Sequence, residues 1–312
     1  MLDAPHGPGY AAAPAMRHLL GIEGWRRDEL EAVLDRARAH LPGGPDATHT
    51  LRGKVVANLF FEDSTRTRTS FHMAARGLGA GVLNWSPSGS STSKGETLLD
   101  TARNIEATGP VAIVMRHRSS GAPHLVAKHV RCAVINAGDG THEHPSQALL
   151  DAFTLRQRWG GLDGRTVLIV GDILHSRVAR SNLWCLKALG ARVVVCGPPT
   201  LMPPGLEALG AEVTHNLDAA LPQADAVMCL RLQLERMGEA FLPSTKEYSR
   251  LFGLTAAREE RMKAGALVMH PGPINRGLEL APSVADGARS VILEQVSNGV
   301  AVRRAILEVC TS

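Results

Sequence analysis

Residues 64 to 71 read STRTRTSF, a spacing that gathers the hydroxyls of Ser64, Thr65 and Thr67 around the guanidinium of Arg66. The apolar run Val55 to Phe60 precedes them and a stretch of helical composition follows to Leu78, so the group falls at a strand-to-helix junction. A helix start exposes unpaired N–H groups at the positive end of the helix dipole. Hydroxyls add neutral donors there, and an arginine fork matches two oxygens of a phosphate. The chemistry predicted is capture of a phosphate dianion. A serine before a helix can also be a plain N-cap, and arginines can be a solvated face, so the rest of the chain decides between the two readings.

Other chemically capable residues fall just beyond further apolar runs. Arg116 and His117 follow Val111 to Met115, and Asp139 with the turn from Thr141 through His144 to Gln147 follows Ala133 to Asn136. In the second half the same position is taken by Asp172 with Arg177, by Arg231 with Gln233, and by His270, Pro271, Gly272 and Pro273. Ligands of open α/β sheets bind beyond the carboxyl ends of strands. Arginines and a histidine converging there predict a cleft for a polyanion between two domains. His142 and His144, two apart with no third ligand in view, are weak grounds for a metal, and none is expected. A single glycine at Gly171, where a dinucleotide turn needs three, argues against a nicotinamide enzyme.

The elements that must position these residues alternate β and α twice over. Strands are expected at Val55 to Phe60, Gly81 to Trp85, Val111 to Met115 and Ala133 to Asn136, then at Thr166 to Val170, Arg192 to Cys196, Ala226 to Leu230 and Ala266 to Met269. A helix from Pro145 to Arg158 ends at Trp159, Gly160 and Gly161, and a last helix from about Gly299 to Val309 is placed to return to the first domain. The fold class is α/β: two doubly wound domains, each a parallel sheet flanked by helices. The expected division is a loose tail at 1–16, a first domain at 17–148 with about 297–312, and a second at 149–296.

Composition narrows the partners. The chain has 312 residues, is 44% hydrophobic and 21% charged, and carries a net charge of +4 with no block of like charges. Aromatic residues are too sparse for base stacking, so small anions suit it better than nucleic acid. Five scattered cysteines without a C-x-x-C pair read as reduced, mostly buried thiols of a cytoplasmic protein. No apolar run is long enough to span a bilayer, and the first residues lack the pattern of a secretion signal.

With these residues assembled, the chain closely resembles the aspartate/ornithine carbamoyltransferase family from about Arg17 onward. The resemblance rests on STRTRTSF at 64–71, SKGETLLDT at 93–101, MRH at 115–117, HPSQALLD at 144–151, GDILHSRVARSN at 171–182, RLQLER at 231–236 and HPGPINRG at 270–277. It implies a first domain that binds carbamoyl phosphate and a second that binds an amino acid. The segments around Lys94, Arg231 with Gln233, and His270 to Pro273 resemble the aspartate branch, whereas the ornithine branch is expected to carry H-C-L-P where Gly272 and Pro273 stand. The implied reaction joins carbamoyl phosphate to L-aspartate, giving N-carbamoyl-L-aspartate and phosphate, the committed step towards pyrimidines, without a cofactor. Transfer to ornithine or another amino acid, or an inactive scaffold paralogue, are the alternatives.

The resemblance also implies roles. Ser64, Thr65, Arg66 and Thr67 hold the phosphate, with Arg116 reaching phosphate and carbonyl oxygen. His144, Thr67 and Arg116 polarise the carbonyl, and Gln147 meets the carbamoyl amide nitrogen. Gly272 and Pro273 offer backbone carbonyls near the attacking amine. Arg177 takes the α-carboxylate of aspartate, Arg231 and Gln233 the β-carboxylate, and Lys94 reaches both substrates. Ser90 and Lys94 are expected to enter the site of the neighbouring subunit in a homotrimer with shared active sites. Whether trimers bind a regulatory chain, associate with dihydroorotase or stand alone stays open.

Overall fold

The computed structural model describes residues 18–41, 49–86, 96–233 and 244–312. After helix α1 (Arg27–Arg38), the first half runs β1 (Val55–Phe60), α2 (Thr65–Gly77), β2 (Gly81–Trp85), α3 (Leu98–Ala107), β3 (Ala112–His117), α4 (Ala122–Ala127), β4 (Ala133–Asp139) and α5 (Pro145–Trp159). The second half runs β5 (Thr166–Val170), α6 (Arg177–Ala188), β6 (Arg192–Cys196), β7 (Glu212–Thr214), α7 (Leu217–Ala220), β8 (Ala226–Cys229), α8 (Thr245–Phe252), α9 (Ala256–Glu259), β9 (Leu267–Met269), α10 (Pro282–Ala285) and α11 (Ile292–Thr311).

The strands form two parallel sheets, ordered β2-β1-β3-β4 and β7-β6-β5-β8-β9. Their residues explain it: β1, β4, β5 and β8 are nearly continuous buried apolar runs, as expected where helices cover both faces. Strand order reverses between β1 and β3 in the first sheet and between β5 and β8 in the second. At such a reversal the loops leave in opposite directions and open a crevice at the strands' carboxyl ends. The predicted anion residues lie beyond β1, at the end of β3 and beyond β4, and the predicted amino-acid residues follow β5 and β8.

Several expected limits change, four of them by a single residue: β3 starts at Ala112, α5 ends at Trp159, β8 ends at Cys229 and β9 starts at Leu267. β3 includes Arg116 and His117, because the ladder continues: Phe60 pairs with Arg116, and the Phe61 N–H donates to the Arg116 carbonyl at 2.9 Å. β4 likewise extends to Asp139. α11 starts at Ile292, earlier than the sequence suggested, because its first turns expose Leu293 and Val296 and so lack an inward apolar stripe. The short edge strand β7, of three residues, was not anticipated.

As expected, α11 returns to the first half, packing against α1, α2 and α5. Its buried Glu308 accepts from Arg36 Nε at 2.6 Å and from Thr50 Oγ1 at 2.9 Å, and lies 2.9 Å from His40 Nε2. Burial alone would raise that carboxyl, but His40 and Arg36 outweigh it and hold it down at about 2. Cys185, Cys196, Cys229 and Cys310 are buried free thiols and Cys132 is half-buried. No helix among the described residues is long and apolar enough to cross a membrane.

Candidate active site

The two crevices face each other across one cavity of about 620 Å³. Ser64, Thr65, Arg66, Thr67, Arg116, His144 and Gln147 line it from the first half, and Arg177, Arg231, Gln233, Gly272 and Pro273 from the second. Every predicted site residue among those described is thus brought together. Ser90 and Lys94 lie outside the described residues.

Ser64 occupies the N-cap position of α2, but its side chain makes no capping hydrogen bond, which goes against the plain N-cap reading. Its hydroxyl and the first N–H groups of α2 therefore border the cavity together. Arg66 is the second residue of α2, its pKa lowered by burial and then by the charge of Arg231 opposite. A phosphate dianion between the two guanidiniums would relieve both effects. Gly272 leans against this arginine: a Cβ there would stand 3.0 Å from Arg66 Nε, and its φ of +70° already favours glycine. The loop is set by His270, whose Nδ1 accepts from the Gly272 N–H at 2.8 Å while its Nε2 meets Glu279 at 3.2 Å.

His144 closes the turn between β4 and α5, where Pro145 fixes the first helical residue. Burial first, then the charges of Arg116, Arg177 and Arg303, push its pKa well below the ordinary histidine value. The imidazole is neutral at physiological pH and carries one N–H, suited to donate to a carbonyl oxygen. Three residues on, Gln147 donates through Nε2 to Asp151 at 2.9 Å, which fixes its amide plane. Gln295 donates to the same Asp151 oxygen at 2.7 Å and accepts from the His270 N–H at 3.0 Å. A single buried carboxylate therefore aligns groups from both sides of the cavity.

Several participants were not foreseen. Glu62 accepts from Arg116 Nε at 3.0 Å and from Arg177 Nη2 at 2.6 Å. It stands two residues before the STRTRTSF motif, and an acid beside an anion site reads as a flaw until the arginines it holds are seen. Arg303 lines the cavity from α11, wholly buried, donating to Ser70 Oγ at 3.0 Å and resting 5.1 Å from the centroid of Phe71. Gln295 and Arg303 belong to the returning helix, which sequence could assign only a packing role. Arg177 also donates to the Gly140 carbonyl at 3.2 Å, and Gln233 Nε2 to the His175 carbonyl at 3.0 Å. Five guanidiniums, Arg66, Arg116, Arg177, Arg231 and Arg303, thus surround the cavity with the carboxylates of Glu62 and Asp63. Such a field suits a phosphate beside a dicarboxylate.

Comparison with known proteins agrees with this geometry. Residues 17–157 match the family model described as aspartate/ornithine carbamoyltransferase, carbamoyl-P binding domain, and residues 163–310 match its Asp/Orn binding domain. The aspartate carbamoyltransferase catalytic subunit of Myxococcus xanthus (strain DK1622) is 90% identical over 297 residues, covering 95% of this chain and 100% of that protein. The crystal structure of aspartate transcarbamoylase from Trypanosoma cruzi, in complex with carbamoyl phosphate and aspartate, superposes with a TM-score of 0.87 at 31% identity, covering 98% of this chain and 99% of that one. Ornithine carbamoyltransferase from Thermus thermophilus superposes with a TM-score of 0.83 at 27% identity, covering 95% and 99%.

Proposed function

The chain belongs to the aspartate/ornithine carbamoyltransferase family, and we propose how its cavity carries out the aspartate reaction of that family. It transfers the carbamoyl group of carbamoyl phosphate to the amine of L-aspartate, releasing N-carbamoyl-L-aspartate and phosphate. The observation that carries the assignment to this branch is the pairing, across one cavity, of the Ser64 to Thr67 helix start with Arg177, Arg231 and Gln233. Ornithine has one carboxylate and a cationic side chain, and would meet two arginines where it needs an acid.

Ser64, Thr65, Arg66 and Thr67 receive the phosphate, and Arg116 spans phosphate and carbonyl oxygen. As the amine attacks, negative charge grows on that oxygen, and neutral His144, Thr67 and Arg116 donate to it. Losing one such preorganised donor typically costs about 2.7 to 4 kcal/mol of transition-state stabilisation. Gln147, aligned by Asp151, and the carbonyls of Gly272 and Pro273 orient the carbamoyl amide and the amine. Arg177 takes the α-carboxylate, exchanging part of its grip on Glu62, and Arg231 with Gln233 takes the β-carboxylate. The departing phosphate accepts the amine proton, so the protein supplies orientation and charge placement and no general base is required.

The catalytic unit in this reading is a homotrimer in which Ser90 and Lys94 complete the neighbour's site. The test of branch is an assay with carbamoyl phosphate and either aspartate or ornithine. Aspartate should be carbamoylated and ornithine not. Arg231→Ala should raise the aspartate requirement while leaving carbamoyl phosphate binding nearly intact, and a variant that still strongly prefers aspartate over alanine would overturn the role given to Arg231.

A further inference from the structure

The turn that ends in His144 has a second face. His142 points away from the anion cavity into a separate one of about 400 Å³, bordered by His18, Glu23, His124 and Glu143. One ligand atom each from His124, Asp139 and His142 lie within 4.8 Å of one another. The pairing of His142 with His144 considered from sequence is therefore divided between two cavities, and the third residue comes from α4. Asp139 is fully buried, with its two oxygens 3.2 and 3.1 Å from His142 Nδ1. His124 Nδ1 is buried with no hydrogen-bond partner, although its ring stands edge-on to His142 at a centroid distance of 5.4 Å. A buried ring nitrogen without a partner is a cost that an edge-on ring contact does not remove.

We propose that His124, Asp139 and His142 form a binding site for a first-row divalent transition metal ion of the zinc class. Two imidazoles and one carboxylate favour such an ion over magnesium or calcium, which prefer all-oxygen sites. Three protein ligands leave a fourth position open towards the 400 Å³ cavity. The ion satisfies His124 Nδ1 and replaces the proton shared by His142 and Asp139. Asp139 has the outer support a metal-bound carboxylate needs: it accepts from the Gly121 N–H at 2.7 Å, from Asn136 Nδ2 at 2.7 Å and from the Glu143 N–H at 3.2 Å. The ion ties α4 to the turn whose Gly140 carbonyl holds Arg177 and whose end is His144. It acts as a brace behind the active site and takes no part in the transfer step.

The test uses the full chain without a histidine tag, stripped by chelator, with Co²⁺ and Zn²⁺ as probes. Calorimetry and elemental analysis should find one ion per chain bound at this site, Co²⁺ should give the visible spectrum of a low-coordinate N,O site, and Zn²⁺ should raise the melting temperature. His124→Gln, remote from the anion cavity, should weaken uptake by at least the roughly 10- to 100-fold that loss of even an outer-shell partner costs. It should also abolish the spectrum and the thermal shift while leaving carbamoyl transfer by the metal-free chain unchanged. Asp139→Asn should likewise lose the uptake, the spectrum and the thermal shift; if that variant does not fold, His124→Gln decides alone. No stoichiometric uptake by the parent chain, or a His124→Gln chain that binds Co²⁺ as tightly with the same spectrum, would overturn the proposal.

Discussion

Glu62 Oε2 stands 2.6 Å from Arg177 Nη2 and 3.0 Å from Arg116 Nε, so one carboxylate at the end of β1 joins its own sheet to the first residue of α6 on the other. Arg177 is almost wholly buried and Glu62 is about a quarter exposed. The pair therefore acts in a partly desolvated place where a charge-assisted hydrogen bond contributes on the order of 1.5 to 3 kcal/mol. It also sets the angle at which the second sheet presents its arginines to the first.

Glu62→Gln keeps the shape and removes the charge. The expected result is a rise in the KM for aspartate and a fall in kcat, together about 10- to 100-fold in kcat/KM, following from the energy of one such bond. Small-angle scattering should show a wider separation of the two halves, and reduced compaction with a non-reacting bisubstrate analogue. Kinetics and scattering unchanged from the parent would show that the carboxylate does not organise the cleft.

Arg66 carries the clearest binding prediction. Its guanidinium is already disfavoured by burial and by Arg231, so a dianion removes an unfavourable arrangement as well as adding hydrogen bonds. Phosphate should compete with carbamoyl phosphate, and Arg66→Ala should weaken both by about 1.5 to 3 kcal/mol each. Calorimetry showing both ligands bound with parental affinity would remove the α2 start from the anion site.

Two buried groups give opposite signatures with pH. His144 stays neutral when folded, whereas in the unfolded chain it takes up a proton as pH falls through about 6.5. Its contribution therefore destabilises the fold progressively below that pH. Asp151 is pushed up to about 6 by burial, against the lowering effect of hydrogen bonds from Asn182, Gln295 and Gln147. The folded chain holds that proton to higher pH than the unfolded one, so the stability it contributes is present below the ordinary carboxylate range and lost as pH rises through about 6. Above that value the anion orients Gln147 and Gln295. The ratio of kcat/KM for carbamoyl phosphate between the parent chain and Asp151→Asn cancels the substrate's own ionisation. That ratio should fall as pH drops through about 6, and a ratio independent of pH would exclude Asp151 as the group that aligns Gln147.

The sheets were legible because buried parallel strands are short β-branched runs, and the predicted limits of β1, β2, β5 and β6 are those found. The anion residues were legible because an α/β fold concentrates ligand groups after strands, a local and directional rule. What escaped has a common cause. Glu62, Asp151, Gln295 and Arg303 act through partners distant in the chain: Gln295 meets Asp151 and Arg303 meets Ser70 only once α11 has folded back. Likewise His124 acquires meaning only when α4 brings it beside His142. Residues whose role is to position others leave no spacing of their own.

The last prediction concerns Ser90 and Lys94. The cavity holds arginines for phosphate and both carboxylates but has no lysine along its described lining. Resemblance assigns Lys94 a contact with both substrates, delivered from the adjacent subunit. A Lys94→Ala chain and a His144→Ala chain should each be nearly inactive, since each site then lacks one cation or one oxyanion donor, worth about 2.7 to 4 kcal/mol in the latter case. Co-assembled from the two kinds of chain, some interfaces combine an intact His144 from one subunit with an intact Lys94 from its neighbour, and those sites are complete. Activity of the mixed preparation should exceed that of either parent and follow the statistics of mixing. Mixed trimers no more active than their parents would show that Lys94 serves its own subunit, or none.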